Sequence, residues 1–230
     1  MLLISFLFGI LIGNYTTTFL FRLPRGIEIC GINKNVNTPP HCAQCKNSLK
    51  FYEYLPVFSW IFSRFKCNYC GTAINPQYFF LELSTGILSL MLYCFLGFSE
   101  KYLLLIALWL LTMLAGMINL NHQLIIKELT QLVIVLGMIY RTSIDQSILP
   151  FMTYFGIASI FASATLSYRK WQDIQYRNEL IHIVLQASLW LRGLDIVFII
   201  CIYHILSKSK YRYLLSLISL SCVTILENIH

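Results

Sequence analysis

Cys42-Ala43-Gln44-Cys45 and Cys67-Asn68-Tyr69-Cys70 carry the most specific chemistry in the chain, two Cys-x-x-Cys knuckles separated by 21 residues. A knuckle turns tightly enough to aim both sulfurs at one ion, and a facing pair is the sequence form of a four-thiolate zinc site. Lys46-Asn47-Ser48 follows the first pair and Gly71-Thr72 the second. Asn and Gly suit such turns because they tolerate the left-handed backbone that lets amides point at sulfur. Two disulfides are the competing use of the same residues. The choice depends on which side of a membrane the loop faces.

Composition supplies the membrane. Hydrophobic residues make up 57% of the 230-residue chain, charged residues only 12%, and the mean hydropathy is +0.68. A soluble fold cannot hide that much apolar surface, so the expected class is an all-α polytopic membrane protein. In a soluble domain the net charge of +7 would suggest a nucleic-acid partner. In a membrane protein it reflects the collection of basic residues on the cytoplasmic side, and lipid is the expected neighbour, not nucleic acid.

Met1–Leu20 reads as a first spanning helix rather than a cleaved signal, because Arg22 and Arg25 follow it directly and no small-x-small cleavage site does. Pro24 and Gly26 end it. Residues 21–77 form the long polar segment and are expected to be a separate zinc-knuckle domain. Between the knuckles, Tyr52, Tyr54, Leu55, Val57, Phe58, Trp60, Ile61 and Phe62 are too apolar for a free linker. They should cover the metal or lie in the membrane interface. Residues 78–230 then carry seven apolar runs, at about 78–98, 102–120, 129–140, 149–168, 180–191, 196–206 and 213–226. Those at 180–191 and 196–206 are the weakest spans. About eight transmembrane helices are expected in all, with both termini on one side.

The charges test that count. If residues 21–77 are cytoplasmic, the inside loops hold 14 of the 17 Lys and Arg, leaving only Lys101, Arg141 and Arg192 outside. Dropping one span would flip every later loop and lose this asymmetry. The knuckles therefore fall in reducing cytoplasm, where structural disulfides are disfavoured and zinc is the expected ligand. Cys94, Cys201 and Cys222 lie in apolar runs as small hydrophobes, and Cys30 stands alone in the loop. Glu82 sits one turn inside the second span. An ionisable group at a helix centre costs roughly 2.5–3.5 kcal/mol on insertion scales, and less near the interface. It marks either an intramembrane polar site or a carboxylate snorkelling to the headgroups.

Phe21-Arg22-Leu23-Pro24-Arg25-Gly26 after the first span, the two knuckles, Tyr54-Leu55-Pro56-Val57-Phe58-Ser59-Trp60 between them and Phe80-Leu81-Glu82-Leu83-Ser84-Thr85-Gly86 beyond together resemble the type IV prepilin peptidases. Residues 1–90 carry the likeness; the rest matches through helix count and residues 118–137. The resemblance implies a bacterial inner-membrane protein serving type IV pilus or type II secretion assembly. It implies cleavage of basic leaders from prepilins or pseudopilins, followed by N-methylation with S-adenosylmethionine where that activity is retained. Cleavage in the family uses two membrane aspartates, one in an Ile-Asp-Leu-Asp-x-x-x-x-Pro-Asp pattern and one in Gly-x-Gly-Asp. Two carboxylates sharing a proton supply an acid and a base at once.

This chain departs from both patterns. The first survives as Ile118-Asn119-Leu120-Asn121-His122-Gln123-Leu124-Ile125-Ile126-Lys127, with Asn at both early aspartates. Matching Ser188-Leu189-Trp190-Leu191 to the Gly-Ala-Trp-Leu that follows the second places Leu180 in its aspartate slot, with Glu179 one residue away. The aspartates of the chain are Asp145, Asp173 and Asp195. The topology sets Asp145 and Asp195 on the far side, so Asp173 with Glu179 is the best substitute pair. The expectation is a family member impaired as a peptidase, or a non-catalytic pseudo-peptidase that binds prepilins or assembly partners.

Overall fold

The computed structural model describes residues 1–27, 40–145, 149–165, 173–191, 195–206, 209 and 211–229. Among them the chain is helical, with isolated bridges in place of strands. Each expected apolar run coincides with a helix: α1 (Leu2–Arg22), α3 (Gln77–Leu96), α4 (Glu100–His122), α5 (Lys127–Asp145), α6 (Leu149–Thr165), α7 (Ile174–Trp190), α8 (Asp195–Ile205) and α9 (Arg212–Ile229). A six-residue helix, α2 (Phe58–Ser63), lies between the knuckles. Among the described residues, three helices are long and apolar enough to cross a membrane: α1 with its 3₁₀ extension to Arg25, α3 and α4. The 11 residues of α8 rise only about 16 Å, roughly half a hydrocarbon core. Of the charges behind the topology, Lys34, Arg169, Lys170, Arg192, Lys208 and Lys210 lie outside the described residues, as does Cys30.

The chain divides into two compact units, Met1–Gly97 and Phe98–His230. In the first, α1 and α3 run antiparallel in close contact, and small residues make the approach possible. A Cβ on Gly9 would lie 2.5 Å from Ser89 Cβ, one on Gly13 2.9 Å from Glu82 Cα, and one on Gly86 2.7 Å from Ile10 Cγ1. Ser5 Oγ donates to the Ser89 carbonyl at 2.8 Å, and Ser89 Oγ returns a bond to the Ser5 carbonyl at 2.6 Å. Where lipid removes the hydrophobic drive between helices, close packing and such hydrogen bonds are what remains to join them. The outer faces keep Leu3, Leu7, Leu11, Phe80, Met91 and Phe95 exposed, as lipid-facing surfaces require.

In the second unit α7 is central, packed by α5, α6, α8 and α9. Gly137 on α5 admits Leu189 and Trp190, and Trp190 stacks on Tyr140 at 4.9 Å. Helix α4 packs on α9, where Thr112 Oγ1 and Ser221 Oγ lie 2.7 Å apart. Overfilling the α1–α3 contact should be costly. Gly9→Leu is expected to destabilise the detergent-purified chain by about 1–3 kcal/mol, read as a lower unfolding midpoint. Gly156→Ala, inside α6 and meeting nothing within 4 Å, should leave the midpoint the same or slightly higher.

Candidate functional site

The two knuckles are one structure used twice, offset by 25 residues. In the first, the Cys42 amide donates to the Asn47 carbonyl (3.0 Å), Lys46 N to Cys42 O (3.1 Å) and Leu49 N to Pro40 O (2.8 Å). In the second, Cys67 donates to Thr72 (2.9 Å), Gly71 to Cys67 (2.9 Å) and Ile74 to Phe65 (2.8 Å). The left-handed position after each pair falls at Lys46 (φ 62°) and Gly71 (φ 69°). The expectation that an Asn would serve in the first knuckle is therefore corrected. The position is fixed by its place after the second cysteine, and Lys46 accepts the backbone cost.

This geometry gathers the sulfurs. Cys42 and Cys70 Sγ lie 3.9 Å apart, Cys45 and Cys67 Sγ 4.0 Å, and all four within 4.8 Å of one another. A tetrahedron with metal–sulfur bonds of about 2.3 Å has edges of about 3.8 Å, so the four cysteines fit a metal ion. All are free thiols. The charge pattern agrees with that fit. The Thr72 hydroxyl, 3.2 Å from Cys70 Sγ, and the Thr72 amide lower the Cys70 thiol to about 6. The Asn47 amide also lowers Cys45, but desolvation and the neighbouring sulfurs of Cys42, Cys70 and Cys67 outweigh it and push that thiol up to about 11. Four sulfurs this close cannot all ionise without a cation among them.

Side chains around the centre fix the loop to it. Glu53 accepts from the Lys50 amide at 2.8 Å, Asn68 Nδ2 at 2.9 Å and Tyr69 OH at 3.1 Å, gripping the two residues inside the second knuckle. The Asn68 bond, then the Lys50 amide, hold the Glu53 carboxyl below its ordinary range. Deeper in the unit, Glu82 is 1% exposed, and its Oε2 accepts from Val57 N at 2.8 Å and Trp60 Nε1 at 2.9 Å. Val57 has φ 61° and ψ −48°, and Phe58 N bonds back to Pro56 O at 2.6 Å. That is a γ-turn centred on a β-branched residue, a strained conformation costing about 1–3 kcal/mol. Glu82 is thus neither snorkelling nor idle. It receives the amide that the turn exposes and pins the start of α2.

In the second unit, Asn119 in the last turn of α4 is 4% exposed, and its Nδ2 donates to Glu179 Oε1 at 3.2 Å. Glu179 also accepts from Gln175 Nε2 at 3.0 Å, Tyr203 OH at 3.1 Å and Arg212 Nε at 2.8 Å, the last an ion pair. The side chain that reaches Asn119 from α7 is therefore Glu179. Leu180, next along the helix, is 3% exposed in the apolar core. Asp173 caps α7, accepting from the amides of Gln175 (3.0 Å) and Tyr176 (3.2 Å), and these bonds account for its carboxylate. Asp195 opens α8, and the side chain of Asp145 lies outside the described residues. Sequence reasoning missed Gln175, Tyr203 and Arg212. Arg212 had counted only as an inside charge, though its place at the head of an apolar run was a signal that a buried acid needed it.

The Glu82 anchor has a direct consequence. Glu82→Ala would leave the Val57 amide and the Trp60 indole without acceptors, at about 1–3 kcal/mol for each buried group. The expected outcome is rapid limited proteolysis between residues 50 and 66 in folded, detergent-purified protein, with Glu82→Gln cut at an intermediate rate.

The family profile described as the Bacterial Peptidase A24 N-terminal domain matches residues 7–96. Curated relatives carry the name prepilin leader peptidase/N-methyltransferase. One from Myxococcus xanthus is 30% identical over 127 residues, covering 54% of this chain and 36% of its own length. One from Stutzerimonas stutzeri is 28% identical over 159 residues, 61% of this chain and 54% of its own. One from Legionella pneumophila is 29% identical over 160 residues, 62% and 55%. The chain spans between about a third and just over half the length of these relatives. No solved structure matches it. The knuckles, the loop between them and Glu82 all lie inside the matched residues, so residues 7–96 are similar to the Bacterial Peptidase A24 N-terminal domain and the chain is similar to prepilin leader peptidase/N-methyltransferases.

Proposed function

We propose that this chain is a prepilin-binding member of its family, working in type IV pilus or type II secretion assembly, in which the proteolytic step has been lost. One observation carries the reading: Asn119, in the slot of the family's first aspartate, meets a Glu179 carboxylate already paired to Arg212 at 2.8 Å. An aspartyl dyad works because two carboxylates share one proton, which leaves one as acid and the other as base. Here the neighbour is an amide, which exchanges no proton near neutral pH. The carboxylate's hydrogen-bond partners among the described residues are Asn119, Gln175, Tyr203 and Arg212, all donors. A water activated by Glu179 would have to displace one of them. Losing the acid and base roles removes about 10²–10⁴-fold each.

The rest of the reading follows the family and the charge pattern. The protein lies in the bacterial inner membrane and crosses it about eight times, with residues 21–77 in the cytoplasm, as the distribution of 14 of 17 basic residues supports. There the four thiols hold a structural zinc ion, and the knuckle domain with the membrane body receives the basic prepilin leader. Among the described residues no donor set singles out a site for S-adenosylmethionine, and methyl transfer forms no part of this reading.

Two measurements test it. Metal analysis of the purified chain should find about one zinc per chain, and Cys42→Ser should abolish it; a metal-free chain with four titratable thiols would refute the zinc site. In a cleavage assay with a matched prepilin, the natural chain should bind without cutting. Asn119→Asp alone should also fail, since Arg212 still engages Glu179, whereas Asn119→Asp with Arg212→Gln should regain measurable cleavage. Cutting by the natural chain that disappears in Glu179→Gln would make Glu179 catalytic and overturn the loss of proteolysis.

A further inference from the structure

We infer that α2 is a membrane-inserted helix whose exposed face, Phe58, Ile61 and Phe62, lies among lipid chains at the headgroup boundary. This rests on α1 and α3 crossing the membrane, not on any role with prepilins. The depth of α2 follows from its contacts. Gly13 on α1 lies against Glu82 on α3, nine residues before Arg22, which is about 13 Å along the axis. The Val57 and Trp60 donors at the start of α2 bond to that same Glu82. Trp60 stacks on Tyr78 at 6.2 Å, and Phe65 meets Phe79 edge-on at 5.5 Å. From the other side, Asn14 Nδ2 reaches the Tyr54 carbonyl at 3.5 Å. The segment therefore descends beside the first two turns of α3, below the level at which Arg22 and Arg25 leave α1.

At that level α2 turns two different faces outward and inward. Inward, Ser59, Trp60 and Ser63 line a cavity of about 400 Å³ shared with Asn14, Thr17 and Glu82. Outward, Phe58, Ile61 and Phe62 are exposed, Phe62 by 82%. The exposed Phe80 on α3 and Tyr15 on α1 lie at the same depth, so the three aromatic faces share one apolar belt. Water is a poor neighbour for such a belt, and lipid already borders the helices that carry it. The backbone of the descent meets the rule for non-helical chain at membrane depth. Its γ-turn amide goes to Glu82, and the polar residues Asn14, Thr17 and Glu82 of the two unbroken helices line the cavity. Arg64, just past α2 with φ 50°, ends the helix where a cation can return to the headgroups.

The test uses the full chain with its metal, reconstituted in nanodiscs. Phe62→Trp keeps an aromatic at an exposed position, and Tyr69→Trp, inside the second knuckle, serves as the water-side control. Each variant's added emission is taken as its difference from the natural chain. In discs of brominated phosphatidylcholine the Phe62→Trp signal should be blue-shifted and lose the larger part of its intensity. Iodide in the buffer should leave it nearly unchanged, with the opposite pattern for Tyr69→Trp. Quenching of Phe62→Trp by iodide and not by brominated lipid would overturn the inference, placing the face in water. Protection from both quenchers would overturn it too, because a second copy or another protein would then cover the helix.

Discussion

A carboxylate taken out of water has to be given donors, and among the described residues two of them are buried almost completely. Glu82 and Glu179 are each 1% exposed, and each organises the unit that contains it. An unpaired charge at such a site costs several kcal/mol, more than a domain of this size can absorb at many places. The surrounding chain is therefore arranged to supply N–H and O–H groups. Glu82 is satisfied by a backbone amide and an indole, both from a loop that comes back to meet it. Glu179 is satisfied by four side chains drawn from α4, α7, α8 and α9. The first solution joins the loop to a helix pair; the second joins four helices to one another.

The Glu82 solution explains why a strained turn survives in the first unit. A γ-turn at a β-branched residue is stable only where its surroundings over-determine it. Three constraints converge on Val57: the fixed φ of Pro56 before it, the carboxylate beneath its amide, and the aromatic packing of Trp60 between Phe65 and Tyr78. The knuckles gain from this indirectly. Their own turns fix each pair of sulfurs, but the loop that connects them determines whether the two pairs face each other. Glu53, bonded to Asn68 and Tyr69, and Glu82, bonded to α2, hold that loop from its two ends.

The regular parts of this fold could be read from residue types. Apolar runs bounded by Gly, Pro and charged residues mark the helices. The 25-residue offset between knuckles makes their equivalence visible before any contact is known. What escaped was contact across distance. Leu180 and Glu179 are neighbours in sequence, and a shift of one residue turns a helical side chain by about 100°. Matching motifs could not show which of the two faces Asn119. Arg212 looked like one more cytoplasmic charge because its partner lies 33 positions away. The γ-turn was hidden because nothing in Leu55-Pro56-Val57-Phe58 requires φ > 0 at a valine; Glu82, 25 positions on, makes it tolerable.

Asn119 and Arg212 complement each other electrically around Glu179. A working dyad carries one negative charge, because two carboxylates hold one proton between them. A guanidinium beside it would favour ionisation of both acids and remove the proton on which the mechanism depends. An arginine at 212 is thus incompatible with an aspartate at 119 that must act as a general acid. With Asn at 119 the objection vanishes: the amide donates, the guanidinium donates, and one carboxylate with one cation leaves the buried cluster neutral. Without the arginine, Glu179 would be buried with no counter-ion; without the amide of Asn119, its Oε1 would lose the donor that reaches it from α4. Together with Gln175 and Tyr203 they make Glu179 an interhelical tie, which holds α4, α7, α8 and α9 in register.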